Sequence, residues 1–213
     1  KYKNIIFNSE KISAKINNDL INIKGVFKNK INLNLLSTFL DYDLKKYFNK
    51  KILLPSKSNF NISFNKKFNI KKYNLICQIN IDDIKVNLKN TNLKNYIADF
   101  EDKIILKDGV LTYKIDNQKI SKINIYSKYF FNKKHKAKEI TLDYSKVNSI
   151  ENYELNIDLI ENIINLDEID FIKKKGEEMS LNLSLTKNKN TYELKNLKMF
   201  NDKNALFDLK NIV

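Results

Sequence analysis

The chain has no arginine and no tryptophan, and its 213 residues include only one cysteine, one proline, one histidine and three glycines. Each scarcity removes a class of function. A lone Cys77 can form neither an intramolecular disulfide nor a cysteine-based metal site. It shares its alternating apolar slot with Leu75 and Ile79, so it reads as a small buried hydrophobe. The single His135 lies in "NKKHKAKE" and reads as a solvated loop residue. Without a second histidine, zinc sites and the usual serine or cysteine triads lose a ligand or a base. Gly25, Gly109 and Gly176 are too far apart for a dinucleotide fingerprint or a P-loop, and Gly25 in "INIKGVF" reads as a bulge or bend within a strand. No apolar run approaches the length of a membrane-spanning helix, and no signal peptide is visible. The chain opens on Lys1 instead of Met, so the expectation is a segment of a longer protein, with any anchor in another part.

Charge is what the chain has in excess, with a formal net value of +14 in which all 39 basic residues are lysine. Such a balance points toward polyanions. The same chain is rich in Asn, Ile and Lys, the residues of A- and T-rich codons, so composition alone can supply the excess. The lysines are spread along the chain, whereas nucleic-acid recognition wants a concentrated footprint and bidentate arginine; nucleic acid is not favoured as a partner. Carboxylate neighbours occur at Asp82-Asp83, Glu101-Asp102, Asp167-Glu168 and Glu177-Glu178. Adjacent residues on a strand point to opposite faces, so these pairs do not form the facing carboxylates of a glycosidase and read as turn or helix-end residues. No catalysis and no cofactor are expected.

Alternation dominates what remains. "NFNISFNKKFNIKKYNLICQINIDDIKVNL", residues 59–88, puts apolar side chains at every second position, and β-branched and aromatic residues fill those slots along most of the chain. Roughly fourteen strands are predicted at 11–16, 20–27 and 30–35, within 59–88, and at 103–107, 110–115, 120–126, 139–144, 153–159, 179–185, 191–197 and 205–212. Asp108-Gly109 and Asp116-Asn117 carry turn chemistry, as does Asp82-Asp83, which interrupts the alternation. Short connections imply antiparallel neighbours in sequence order.

Two segments depart from this pattern. In 35–56 the residues Leu36, Phe39, Leu40, Leu44, Tyr47 and Phe48 recur at helical spacing before Pro55, which predicts one amphipathic helix. In "NLDEIDFIKKKG" Asn165 can cap, Asp167 and Glu168 suit the positive end, Lys173 to Lys175 the negative end, and Gly176 closes, which predicts a second, short helix. The aromatic and lysine-rich "YSKYFFNKKHKAK", 126–138, suits a lipid headgroup interface or a single strand of nucleic acid, but reads more readily as a hairpin whose rings finish the core.

The fold class that follows is all-β with minor α: an elongated, curved antiparallel meander sheet forming an open hydrophobic groove, with one or two short helices. It is read as a single segment over 1–213 with a candidate sub-boundary near 160–178. Two ways of covering its oily face compete. A sandwich or closed barrel would seal it internally and make a structural or adhesive domain at a cell surface with no lipid ligand. An open trough would leave it to acyl chains, and an apolar surface of that extent needs a cover.

The run "INIKGVFKNKINLNLLSTFLDYDLKKYFNKKILLPSKSNFNISFNKKFNIKKYNLICQINIDDIKVNL", with "LKDGVLTYKI" and "YELKNLKMF", resembles the AsmA-like proteins, relatives of TamB. The resemblance implies a β-groove of the bacterial envelope, periplasmic and anchored in the inner membrane through a segment not present here, that passes phospholipid or another acyl-chain lipid toward the outer membrane. It supplies no residue motif. The lining expected on alternation is Ile62, Phe64, Leu75, Ile79, Ile81, Ile84, Val86, Leu88, Leu111, Tyr113, Ile123, Ile125, Leu142, Leu155, Ile157, Leu181, Leu183, Leu194 and Leu209.

Overall fold

The structure, a computed structural model, describes residues 8–17, 19–33, 46–48, 52–89, 91–117, 119–201 and 204–212. Its strands in chain order are β1 (Asn8–Asn17), β2 (Leu20–Asn32), β3 (Leu53–Asn65), β4 (Ile70–Asn87), β5 (Lys103–Asp116), β6 (Lys119–Phe130), β7 (Lys138–Val147), β8 (Ile150–Asp158), β9 (Ile164–Leu166), β10 (Phe171–Lys173), β11 (Ser180–Asn188), β12 (Thr191–Asn201) and β13 (Asn204–Ile212). Eleven of them form one open antiparallel sheet in the order β1-β2-β3-β4-β5-β6-β7-β8-β11-β12-β13, and β9 and β10 pair separately. At about 4.8 Å per spacing the sheet extends on the order of 50 Å from β1 to β13. No helix among the described residues is long and apolar enough to cross a membrane.

The meander is the one expected from short connections, but its strands are longer and fewer than the alternation suggests. Residues 20–32 are one strand because Asn29, in an apolar slot, is satisfied by the Ser56 hydroxyl across the ladder. Asp82-Asp83 is not a turn: β4 runs through it, with Ile81 opposite Gly109 and Asp83 opposite Lys107. Asp108-Gly109 is likewise inside β5. The alternation changes phase at this level in both strands together, the β5–β6 register shifts between Lys107 and Val110, and Asp108 takes a left-handed φ of 48°. A bulge therefore produced the signal that resembled two hairpin turns. Gly109 is required there by close approach, since a Cβ would stand 2.6 Å from the Ser127 Cβ and the Tyr126 carbonyl oxygen. Asp116-Asn117 does turn the chain, with Asn117 at φ 48°.

The helix expected over 35–56 falls largely outside the described residues. Within it, 46–48 lie beside β4, where the Asn87 amide donates to the Tyr47 carbonyl at 2.8 Å, and residues from Leu53 onward already belong to β3. Pro55 is accommodated in that strand because β4 joins it only from Ser56. The second expected helix reduces to a single 3-10 turn, Asp167–Ile169, between β9 and β10. Asp170 at φ 52° breaks any helix, and Leu166 and Phe171, opposite each other in β9–β10, pack into the apolar cluster beside it.

The connections between strands divide by length. Those joining β1 to β2, β3 to β4, β5 to β6, β7 to β8 and β11 to β12 are short turns, and antiparallel pairing places all of them along one rim of the sheet. The other rim carries 88–102, 131–137 and 159–179. These longer segments fold over the sheet there, where Ile97, Phe100, Ile164 and Met179 bury against Ile104, Tyr129, Phe131 and Ile157.

Candidate functional site

Cross-strand partners in a sheet project from the same face, so the ladder registers identify the apolar surface row by row. One row runs Ile79, Leu111, Ile125, Leu142, Leu155, Leu183, Leu197 and Leu209 from β4 to β13. The next runs Cys77, Tyr113, Ile123, Tyr144, Tyr153, Leu185 and Leu194. A third, toward the long-loop rim, runs Ile140, Ile157, Leu181 and Met199. Toward β2 the same face continues through Leu75 opposite Phe60, Ile62 opposite Ile23 and Tyr73, and Phe64 opposite Ile21 and Ile70. Ile84 opposite Leu106 and Val86 opposite Ile104 extend it at the long-loop end, with Leu88 packed just beyond.

All nineteen residues expected to line a groove thus fall on this face or at its margin, but they are covered to very different degrees. Ile79, Ile81, Ile84 and Tyr113 are fully buried and form a core with Leu33, Leu54, Cys77 and Ile115, against which Phe48 and Ile52 also pack. Ile157 is buried in the second cluster, with Leu181 packed partly against it. Ile62, Phe64, Leu75, Val86, Leu88, Leu111, Ile123, Ile125, Leu142, Leu155, Leu183 and Leu194 are half-buried, and Leu209 is 42% exposed. Cover therefore thins from β4 toward β13. No second large sheet lies against this face among the described residues. Alternation alone could have added Tyr144, Tyr153 and Leu185 to the lining, because each sits two residues from a residue already chosen, whereas Leu197 and Met199 lie three and five residues from Leu194, beyond a register shift that only the partner strand reveals.

Aromatic residues in 126–138 mostly complete the core. Tyr129 and Phe131 are buried edge-to-face, their centroids 5.2 Å apart, whereas Tyr126 stays exposed on the opposite face. Burial pushes the Tyr113 and Tyr129 phenols far above their ordinary value, so both remain neutral donors. His135 is not the solvated residue its lysine neighbours suggest. Its side chain is 8% exposed and its Nε2 lies 2.8 Å from Asp99 Oδ2, which ties the 131–137 turn to the 88–102 segment. Nearby, Tyr129 donates to the Asp158 carbonyl and to Asn162 Oδ1, and the Lys173 ammonium is fully buried among three carbonyl oxygens. Among the described residues no group of three or more His, Cys, Asp or Glu side chains is placed to hold a metal ion.

At the short-turn rim the apolar face ends in charge. Lys146 Nζ donates to Glu151 Oε1 at 2.6 Å, the Tyr153 hydroxyl donates to Oε2 at 2.7 Å, and Lys187 lies 3.9 Å from Oε2. Burial alone would raise the Glu151 pKa, but the Lys146 and Tyr153 hydrogen bonds outweigh it and hold the carboxyl below its ordinary value. The stabilisation is present above the unfolded carboxylate value and is lost as pH falls through the lower folded one. Glu151→Gln is expected to cost about 1 kcal/mol at pH 7, and urea titrations at neutral and strongly acidic pH should show that difference vanish in acid.

The opposite face is polar. An open depression of about 360 Å³ on it is lined by Lys11, Ser13, Lys24, Asn59, Asn61 and Asn74 with Val26 and Ile76, and it reaches Gly25 and Phe60, which lie in register with the apolar face. No family model, curated protein or solved structure matches the chain, so the functional reading rests on this geometry and charge.

Proposed function

We propose that this chain is a non-enzymatic lipid-binding segment, an acyl-chain trough of an AsmA-like envelope protein working between inner and outer membranes. One observation carries the reading. The Leu and Ile row from Leu111 to Leu209 crosses seven adjacent strands as a continuous apolar surface that the described residues leave half-covered or exposed. An apolar surface of that extent is unstable in water without a partner. Each methylene of an acyl chain brought onto it is stabilised by about 0.8 kcal/mol. Because neighbouring strands present near-identical side chains, a bound chain meets equivalent positions along the sheet axis, and sliding between them needs no input of energy beyond a lipid gradient. The buried cluster under 88–102 and 159–179 closes the trough along one rim, and the opposite rim is left for headgroups.

Native mass spectrometry and lipid extraction of the purified chain test this. Copurifying phospholipid at one or more molecules per chain is the expected result. A clean apo protein that also takes up no phospholipid from detergent micelles overturns it in favour of a structural domain.

A further inference from the structure

The short-turn rim differs from the rest of the surface in two respects at once. It exposes large apolar side chains at four of its hairpins: Ile16 and Phe68, each 73% exposed, with Ile70, Val147, Ile150 and Tyr192. Phe68 stands in the β3–β4 turn at a left-handed φ of 58°, a costly conformation for an aromatic residue that points its ring away from both faces' cores. Around the β1–β2 and β3–β4 turns stand five lysines, Lys15, Lys66, Lys67, Lys71 and Lys72, against one carboxylate, Asp19, which pairs with Lys66 at 2.6 Å. The long-loop rim also exposes large apolar side chains, Leu53, Ile169 and Ile172 among them, but around Ile169 and Ile172 the carboxylates of Asp167, Glu168 and Asp170 outnumber the exposed Lys174 and Lys175. Apolar exposure alone does not separate the two rims. Its pairing with positive charge does.

We propose that the β1–β4 part of the short-turn rim is a docking surface for an anionic lipid bilayer, with Phe68 and Ile70 entering the acyl boundary and the lysines lying at headgroup level. Lysine suits this geometry because its stem packs along apolar neighbours while the ammonium reaches outward. The rim is one edge of a stiff sheet, so several turns meet a flat surface together and their contributions add. Basic residues beside a negatively charged leaflet and inserted apolar side chains act as two independent anchors, either of which alone is weak. This goes beyond the acyl-trough reading, since a rim can dock whether or not the face behind it holds lipid.

Sedimentation of the full chain with sucrose-loaded vesicles tests it. Vesicles of phosphatidylglycerol and phosphatidylcholine should pellet the protein at low salt, and pure phosphatidylcholine vesicles should not. Replacing Lys67, Lys71 and Lys72 with Gln should weaken binding about a hundredfold. The same number of changes at the other rim, Lys133, Lys134 and Lys136 to Gln, should leave it within about twofold. Phe68→Ser should weaken it several-fold without altering its salt dependence. Equal losses from the two lysine triples would show non-specific attraction to a basic protein and overturn the docking surface, as would binding to neutral vesicles of equal strength or tighter binding to single-stranded oligonucleotide. A chain that pellets with vesicles yet never carries lipid in solution would sink the trough alone; lipid loading with no vesicle binding would sink the docking surface alone.

Discussion

Ile81→Asp and Leu155→Asp are expected to fail in different ways, although both place a carboxylate on the same face of the same sheet. Ile81 is 2% exposed, opposite Gly109 and packed in the core with Leu54 and Ile79. An aspartate there has neither water nor a partner, and the cost exceeds about 4 kcal/mol. The variant should lose its near-ultraviolet signal and melt broadly or not at all. Leu155 sits between Leu142 and Leu183 and is half-buried, so an aspartate can still reach solvent. Strand preference and lost apolar contact together cost it about 2 kcal/mol at most. The fold should survive while copurifying lipid falls at least about tenfold, because an acyl chain would have to desolvate the new charge. Circular dichroism with lipid phosphorus assay on the two variants separates the cases. If Leu155→Asp unfolds as completely as Ile81→Asp, protein covers the face at β8 as it does at β4. If it folds and keeps its lipid, acyl chains lie elsewhere.

The apolar face was readable from the sequence because strand periodicity is local: residues two apart project together whatever the tertiary context. That is why Leu142, Leu155 and Leu183, each from a different strand, meet in one row as the alternation implies. Antiparallel order was readable for the same reason, through turn residues such as Asp116-Asn117. Which part of the face is covered was not, because cover comes from segments distant in sequence. Nothing local distinguishes Ile79, closed over by Leu33 and Leu54, from Ile125 two strands away. Bulges were misread as turns at Asp108-Gly109 because both use a residue at positive φ, and only the partner strand decides between them.

Charged residues carried the least legible information. His135 reads as a solvated loop residue and Lys173 as a cation at a helix end, yet the His135 side chain is 8% exposed against Asp99 and Lys173 is buried against the 160–162 backbone. For Lys173 the burial has a backbone cause. Outside the three-residue β9–β10 pairing the 159–179 segment has no strand ladder, so its backbone carbonyls need other donors, and a long side chain bearing an ammonium supplies up to three. The long-loop rim is thus held by polar contacts over an apolar cluster, whereas the backbone of the short-turn rim is satisfied by the hairpins themselves.

Lys173→Met puts a magnitude on that difference. Lys173 Nζ donates to the carbonyls of Asn162 at 2.8 Å, Lys174 at 2.9 Å and Ile160 at 3.2 Å, with no exposure to solvent. Methionine keeps the stem and its packing but leaves three carbonyls without this donor; Ile160 retains the Gly176 amide at 2.8 Å and Lys174 the more distant Glu177 amide at 3.4 Å. Hydrogen bonds to a charged group contribute about 1.5 to 3 kcal/mol each, and part of that is offset because a buried ammonium no longer has to be desolvated. A net loss of about 3 kcal/mol is expected, a fall of about 10 °C in melting temperature for a chain of this length. The pH dependence gives a second readout. Burial lowers the Lys173 pKa, with Glu177 and Asp158 opposing, so between that lowered value and the ordinary lysine value the unfolded chain binds more protons than the folded one. Stability contributed through this group therefore rises with pH across that window, and the rise should disappear in Lys173→Met. A variant that melts with the wild type and keeps the alkaline rise would mean that the 159–179 segment is held by Ile164, Met179 and their apolar neighbours alone, with the ammonium a passenger.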